Sequence, residues 1–275
     1  MKRIVLVILL MSVLLLAVAC TPQAPLVKEQ VTEEGMAKAA ENEGRVVFTI
    51  TDAAADMGTV TSVMLTVDRV QVHNAAEGWV TVSSEQKTFD LLKLKAEASQ
   101  ELLADVDLKE GDYQQLRLDI SNVVVVDDKG EHEAKLPSGE LKIVGGFTVT
   151  ANSTSTAAFD FLVDESLHVT GNGEYILAPV VKLETREDAE VEVKADKKVV
   201  IKGGKVKANL TVGMDVDGNV GVGLKIAKDA KVSLGKGKIA VETGIGLGIG
   251  KKDEEKDTTA EETNASASVK VSVGY

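Results

Sequence analysis

Oxygen-bearing side chains stand at alternate positions in Asp215, Asp217 and Asn219. This spacing matches the first, third and fifth ligands of a calcium loop, in which carboxylate and amide oxygens converge on a hard cation. The sixth place of such a loop needs glycine for its sharp turn, and Val220 stands there. Because Asp217 is followed by Gly218 between two alternating segments, the sequence favours a type I′ hairpin turn, and the three residues are weak calcium candidates.

A second acidic pair, Asp52 and Asp56, brackets a loop of small residues after the first predicted strand. Carboxylates in such a loop are suited to calcium in an exported protein, but aspartates that cap turns by accepting backbone N–H groups are commoner. We therefore predict turn capping here, and no metal or other cofactor for the chain.

Nucleophile and base motifs are missing from the sequence. His73, His132 and His168 are the only histidines, and none has a partner at metal-ligand spacing. Ser138 lies between proline and glycine, and this tripeptide is by itself typical of a turn. The sequence therefore predicts no catalytic residue, although a site assembled from loops in space remains an alternative.

Three asparagines, Asn152, Asn209 and Asn264, open N-x-Ser/Thr sequons. They are candidate N-glycosylation sites if the source organism glycosylates asparagine. Otherwise they are chance matches to a short pattern.

Cys20 is the only cysteine, and it directly follows a basic start and the apolar run Ile4–Ala19. The run is shorter than the roughly 20 residues that a membrane-spanning helix needs. This layout is typical of a secretory signal peptide, over residues 1–19. It also resembles the lipobox of prokaryotic lipoproteins, although Ala17 stands where that motif usually has leucine. The resemblance implies cleavage before Cys20 and a lipid on its thiol. Residues 20–44 then comprise the lipidated Cys20 and a flexible tether, which the polar, charged composition of residues 21–44 predicts.

The chain carries a net charge of −12, which removal of the basic start makes more negative. Such a chain repels phosphate backbones, so we expect no nucleic-acid partner. With a single cysteine there is no intramolecular disulfide, and stability depends on a packed core. Aromatic residues are only 3% of the chain, which leaves little material for a sugar-stacking platform.

Alternating valine-rich segments with short turns occupy residues 45–188 and predict an all-β, Greek-key-like β-sandwich. In the clearest of them Leu116, Leu118 and Ile120 alternate with polar residues. One segment, 95–105, has a helical pattern with Leu102 and Leu103 as its buried contacts.

Several short blocks in this region occur in a recognisable order. They are Thr51-Asp52-Ala53, Phe89-Asp90-Leu91-Leu92, Gly111-Asp112-Tyr113, Leu136-Pro137-Ser138-Gly139, Phe159-Asp160-Phe161 and Tyr175-Ile176-Leu177-Ala178-Pro179. Together they resemble the family called domain of unknown function 4382, over about residues 45–187. The resemblance implies a β-sandwich in exported prokaryotic proteins, often lipoproteins, and it implies no reaction.

The sequence pattern changes after residue 188. Residues 189–275 predict a smaller antiparallel β-rich module with a charged loop at 251–264. Strict alternation predicts that one apolar face packs on a shared core. The residues expected on that face are Val206, Leu210, Val220, Leu224, Ile245 and Val271.

These observations lead us to expect a surface-exposed lipoprotein, anchored to the membrane by the lipid on Cys20 and facing outside the cytoplasm. We expect a non-catalytic binding or envelope-structural module whose partner is an unknown envelope protein or glycan. The alternative is a hydrolase of envelope polymers with a loop-built active site.

Lipid attachment at Cys20 is directly testable. We expect mass spectrometry of the membrane fraction to find a lipid-modified Cys20 as the new N-terminus, and Cys20→Ala to release the protein from membranes. An intact chain beginning at Met1, or unchanged attachment of the Cys20→Ala variant, would contradict this prediction.

Overall fold

The structure is a computed structural model that describes residues 42–53, 57–235 and 238–242. It is an all-β fold with two six-stranded sheets, as the alternation predicted. Within the described residues, no helix has the length and apolar character to cross a membrane.

The first sheet has the strand order β12-β9-β1-β5-β13-β14, and β12 also pairs with β13. All of its pairings are antiparallel except that of β1 with β9. The strands are β1 (Glu43–Asp52), β5 (Gln100–Lys109), β9 (Thr154–Phe161), β12 (Val180–Val193), β13 (Lys198–Met214) and β14 (Val220–Val222).

The second sheet has the order β3-β2-β6-β7, with β4 beside β2 and β8 beside β6. Its strands are β2 (Ser62–Asn74), β3 (Gly78–Ser83), β4 (Lys87–Asp90), β6 (Gly111–Asp127), β7 (Gly130–Glu133) and β8 (Glu140–Val149). Two small ribbons complete the strands: β10 (Leu167–Val169) with β11 (Tyr175–Leu177), and β15 (Lys231–Gly235) with β16 (Lys238–Glu242).

The main core lies between the two sheets and is mostly aliphatic. Alternation in β6 places Leu116, Leu118 and Ile120 in it, as the sequence predicted. Three aromatic rings of the core contact one another: Phe147 stacks on Tyr113 with centroids 5.2 Å apart and meets Phe48 edge-on at 5.8 Å. Offset and edge-to-face contacts of this kind add stability beyond the area that they bury.

The predicted helix over 95–105 is wrong. A helix, α1, occupies Leu91–Ala96 instead, and the carboxylate of Asp90 caps it by accepting from Lys93 N–H at 3.3 Å. Residues 100–109 form β5, which pairs with β1 along its length and buries Leu103. Pairing with a distant strand has overridden the local helical pattern, as tertiary context often does.

The predicted boundary between residues 188 and 189 falls inside a strand. β12 continues through it to Val193, and β13 pairs with β12 from Val199 to Gly213. Val212 and Met214 belong to the main core cluster. The first part of the predicted module is therefore continuous with the sandwich.

The predicted shared face of residues 189–275 is only partly correct. Leu210 and Val220 pack against the main core. Val206, however, is 45% exposed, because a register shift between Thr185 and Arg186 breaks the strict alternation. Leu224 lies beyond the end of β14. Ile245, Val271 and the loop 251–264 lie outside the described residues.

Aspartate substitutions test whether this core is shared. We expect Leu118→Asp and Met214→Asp each to cost roughly 4 kcal/mol or more of unfolding free energy, since each buries an unpaired charge. The controls Gln114→Asp and Thr211→Asp lie at exposed positions of the same strands and should cost about 0.5 kcal/mol or less. Chemical denaturation measures all four, and a mild effect of Met214→Asp would show that β13 is dispensable.

Candidate functional site

A cleft lies beside the short segment that connects the first sheet to the β10–β11 ribbon. After β9 the chain forms a single helical turn, α2 (Val163–Ser166), and enters β10. The Ser166 hydroxyl donates to the Leu162 carbonyl at 2.7 Å and accepts from Val180 N–H at 2.8 Å. These bonds fasten α2 to the first residue of β12, so this wall of the cleft has a defined position.

The opposite wall comes from the segment after β14. Lys225 Nζ donates to Glu165 and Lys228 Nζ donates to Asp164, each at 2.8 Å. Between the two lysines Ile226 is buried in a small second cluster. Ion pairs as exposed as these are worth about 0.2–1 kcal/mol each, so the buried Ile226 is the stronger attachment.

The cleft has a volume of about 360 Å³. Its wall combines an ion pair, one imidazole and three aliphatic side chains. The lining residues are Asp164, Leu167, His168, Val169, Lys228 and Ala230.

His168 is the unusual member of this wall. It is only 7% exposed, and its Nε2 atom is buried with no hydrogen-bond partner. Burial lowers the pKa of His168, because the charged imidazolium loses its hydration, while a hydrogen bond with the Glu165 backbone acts in the opposite direction. The imidazole is therefore neutral at pH 7, and its Nε2 has hydrogen-bonding capacity that no group of the described residues uses.

The arrangement suits a small, uncharged, hydroxyl-bearing ligand. A hydroxyl can both donate and accept, so it can serve the free Nε2 of His168, the Asp164 carboxylate or the Lys228 ammonium. The aliphatic residues provide contacts for carbon–hydrogen surface. The sequence singled out His168 but none of the other lining residues, since they come from two segments that only the fold brings together.

The acidic triplet in the sequence forms a turn. The Asp215 carboxylate accepts from Asp217 N–H at 3.0 Å and from Asn219 N–H at 2.9 Å. Gly218 N–H donates to the Asp215 carbonyl, and Gly218 has a φ of 81°, whereas Asp217 does not have a positive φ. The predicted hairpin turn is thus present, but it is not of type I′, which requires positive φ at both central residues.

Asp52 is buried at the end of β1, where its carboxylate accepts from Val163 N–H at 3.3 Å. This bond joins β1 to α2, which is a structural role of the turn-capping kind. Asp56 lies outside the described residues. Among the residues that the structure does describe, no group of three or more acidic, histidine or cysteine side chains is placed to hold a metal ion.

A polar network that the sequence did not predict surrounds Asp127 at the β6–β7 turn. Tyr175 Oη donates to Asp127 at 2.8 Å, and His132 Nε2 lies 3.0 Å from its other carboxylate oxygen. The Tyr175 hydrogen bond is the main reason that the pKa of Asp127 is lowered to about 2. Burial, followed by this same bond, raises the pKa of Tyr175 to about 12. The network ties the β6–β7 hairpin to the β10–β11 ribbon.

The remaining sequence candidates are dispersed. Ser138 bonds only the backbone of Glu140, as expected of a turn. Asn152 is exposed in a turn with a φ of 59°, and Asn209 is exposed on β13. Cys20 and Asn264 lie outside the described residues.

Comparison with known proteins identifies one family. The model of the domain of unknown function DUF4382 matches residues 43–179, close to the range in which the sequence blocks resemble it. Searches of curated proteins and of solved structures gave no match to this chain.

The Asp127 network makes a prediction about pH. Tyr175→Phe removes the main cause of the lowered pKa, so the pKa of Asp127 should rise from about 2 towards its ordinary 3.8. Because the native pKa is lowered, the bond stabilises the fold above about pH 4 and is lost as the pH falls towards 2. Carboxyl-carbon NMR titration measures the shift.

Tyr113→Phe is the matched control for Tyr175→Phe, because the Tyr113 hydroxyl donates to the backbone carbonyl of Lys109, at 3.1 Å, instead of to Asp127. It should leave the titration of Asp127 unchanged. An Asp127 pKa that stays near 2 in Tyr175→Phe would show that the backbone amides alone set it.

Proposed function

Residues 43–179 belong to the DUF4382 family. We propose that the chain is a lipid-anchored, extracytoplasmic protein that acts as a non-catalytic binding module of the cell envelope. The lipid on Cys20 would hold it to the membrane, and residues 21–44 would serve as the tether. Its partner would be an envelope glycan or another envelope component.

The observation that carries the binding proposal is the free Nε2 of His168. Buried polar atoms are nearly always hydrogen-bonded, so an unpartnered one in a residue that lines a cleft marks a place where a ligand hydroxyl or a water completes the bond. His168 lines the cleft together with Asp164 and Lys228. We assign to this cleft a small, uncharged, hydroxylated unit, such as one sugar residue of a larger glycan.

Two further features support the proposed extracytoplasmic, membrane-anchored location. The apolar run before Cys20 and the absence of a second cysteine suit an exported chain stabilised by its core. The net charge of −12 disfavours nucleic acid and anionic lipid surfaces as partners. Membrane attachment would therefore come from the lipid.

The alternative is an envelope-polymer hydrolase, and the same His168 is the observation in its favour. An imidazole that is neutral at pH 7 is in the form required of a general base. Asp164, which is paired with Lys228 at 2.8 Å, lines the same cleft. The two proposed functions differ in whether the protein cleaves the glycan that it binds.

Histidine NMR provides the test, since the chain has only three histidines. The mature protein would be titrated with a panel of neutral monosaccharides and polyols. We expect one class of sugar to shift the ring nitrogen signals of His168 and to leave those of His73 and His132 in place.

Two lysines supply a matched pair of variants. Lys228→Met removes a cation that lines the cleft and should weaken sugar binding about tenfold, as expected for a hydrogen bond to a charged group. Lys225→Met removes an equivalent ion pair that does not line the cleft and should change the affinity less than about threefold.

Equal weakening by both variants, or no His168 shift with any sugar, would overturn the assignment of the cleft. Reducing ends released over time from purified envelope polymer, and lost in His168→Gln, would replace the binding module with the hydrolase.

A further inference from the structure

The outer face of the second sheet carries the only tryptophan of the chain. We propose that this surface, the Trp79 face, binds an acidic polysaccharide that carries carboxylate groups. It is a different surface from the His168 cleft, and the proposal does not depend on that cleft. The residues of the Trp79 face are Trp79, His73, Gln115, Arg117, Lys142 and Val144.

Strand register brings these side chains together. His73 on β2 is paired with Trp79 on β3 and with Gln115 on β6, and Gln115 is paired with Val144 on β8. Arg117 and Lys142 form the adjacent pair one step along the same face. The opposite face of these strands is the core, so this surface is the solvent side of the sheet.

Cations gather around the indole of Trp79. The Arg117 guanidinium lies 4.1 Å from the ring centroid and Lys142 Nζ lies 5.7 Å from it, while the His73 ring meets it edge-on at 5.1 Å. Cation–π contacts of this kind hold the positive charges beside the ring. An aromatic surface and positive charge therefore lie side by side on this face.

The charges on this face are only partly compensated. Arg117 has an ion pair with Glu140 at 3.3 Å. Lys142 is exposed, and no carboxylate of the described residues lies within ion-pair distance of it. In a chain with a net charge of −12, an exposed cation without a partner beside a tryptophan favours an anionic ligand.

Three polar atoms on this face are buried without a hydrogen-bond partner. They are His73 Nδ1, Gln115 Oε1 and Arg117 Nε. His73 and Arg117 contact the indole, and Gln115 lies directly opposite His73 in the sheet. Three such atoms in one patch are unused hydrogen-bonding capacity beside the indole, and we take it as support for a polar ligand at this face.

An acidic sugar chain matches all of these groups. A carboxylate would bind Lys142 and Arg117, ring hydroxyls would bond the imidazole and amide groups, and carbon–hydrogen surface would pack on the indole and on Val144, which is 71% exposed. A nucleic acid would present mainly aromatic bases and phosphates, whereas the imidazole, the amide and Val144 match the hydroxyls and carbon–hydrogen surface of a sugar. The proposed ligand is therefore a glycan that bears carboxylates.

Tryptophan fluorescence is a specific probe, because Trp79 is the sole source of the indole signal. The mature protein would be titrated with polygalacturonate and, in parallel, with neutral dextran. The titrations use about 0.15 M salt, where screening confines electrostatics to about 8 Å. We expect a saturable change in Trp79 emission with polygalacturonate and none with dextran.

Variants distinguish local recognition from general charge effects. Lys142→Met should weaken polygalacturonate binding about tenfold, since a charged hydrogen bond is lost. Lys129→Met removes an exposed lysine from the β6–β7 turn of the same sheet and should change the affinity less than about twofold. Thermal melts would verify that both variants fold.

Equal binding of dextran, equal effects of the two lysine variants, or no emission change with polygalacturonate would each overturn the proposal. The His168 signals report the cleft separately. A loss of the Trp79 response with an intact His168 response would reject the acidic-polysaccharide surface alone and leave the cleft proposal standing.

Discussion

The start of β12 is the connection on which the candidate cleft depends. Val180 N–H is held by the Ser166 hydroxyl, and the Val180 carbonyl accepts from Leu162 N–H at 2.9 Å. One residue earlier, the Pro179 carbonyl accepts from Met214 N–H at 2.9 Å. This short stretch therefore joins α2, the first sheet and the end of β13. Because buried backbone groups must be paired, movement of any one of these segments would break the hydrogen bonds that join it to the other two.

The region that the family matches supplies only one wall of the cleft. Asp164, Leu167, His168 and Val169 lie within residues 43–179, whereas Lys228 and Ala230 lie beyond them. Beyond residue 179, β12 pairs with β9 of the matched region, β13 pairs with β12 and β14 pairs with β13. The segment after β14 then carries Ile226 to the second cluster. In this arrangement the family fold provides the buried imidazole, and the following segment provides the cation and part of the apolar contact.

The two candidate surfaces differ in the chemistry that they offer. The His168 cleft contains the ion pair of Asp164 with Lys228, whose opposite charges offset each other, which suits an uncharged hydroxylated group. The Trp79 face is open and leaves Lys142 without an ion-pair partner among the described residues, which suits a carboxylate. A glycan that contains both neutral and acidic sugars would match both surfaces. This combination is consistent with a binding module of the envelope.

The sequence by itself determined the all-β class, the family and the inward faces of strands such as β6, because alternation with a period of two is a local property. It also determined that Asp215 belongs to a hairpin turn, since turn chemistry is local too. Only the tertiary structure decided that residues 100–109 are a strand and that β13 continues the sandwich, because both depend on pairing with distant segments. The clusters at His168, Asp127 and Trp79 were undetectable for the same reason: their members come from separate strands, and only register and sheet packing bring them within bonding distance.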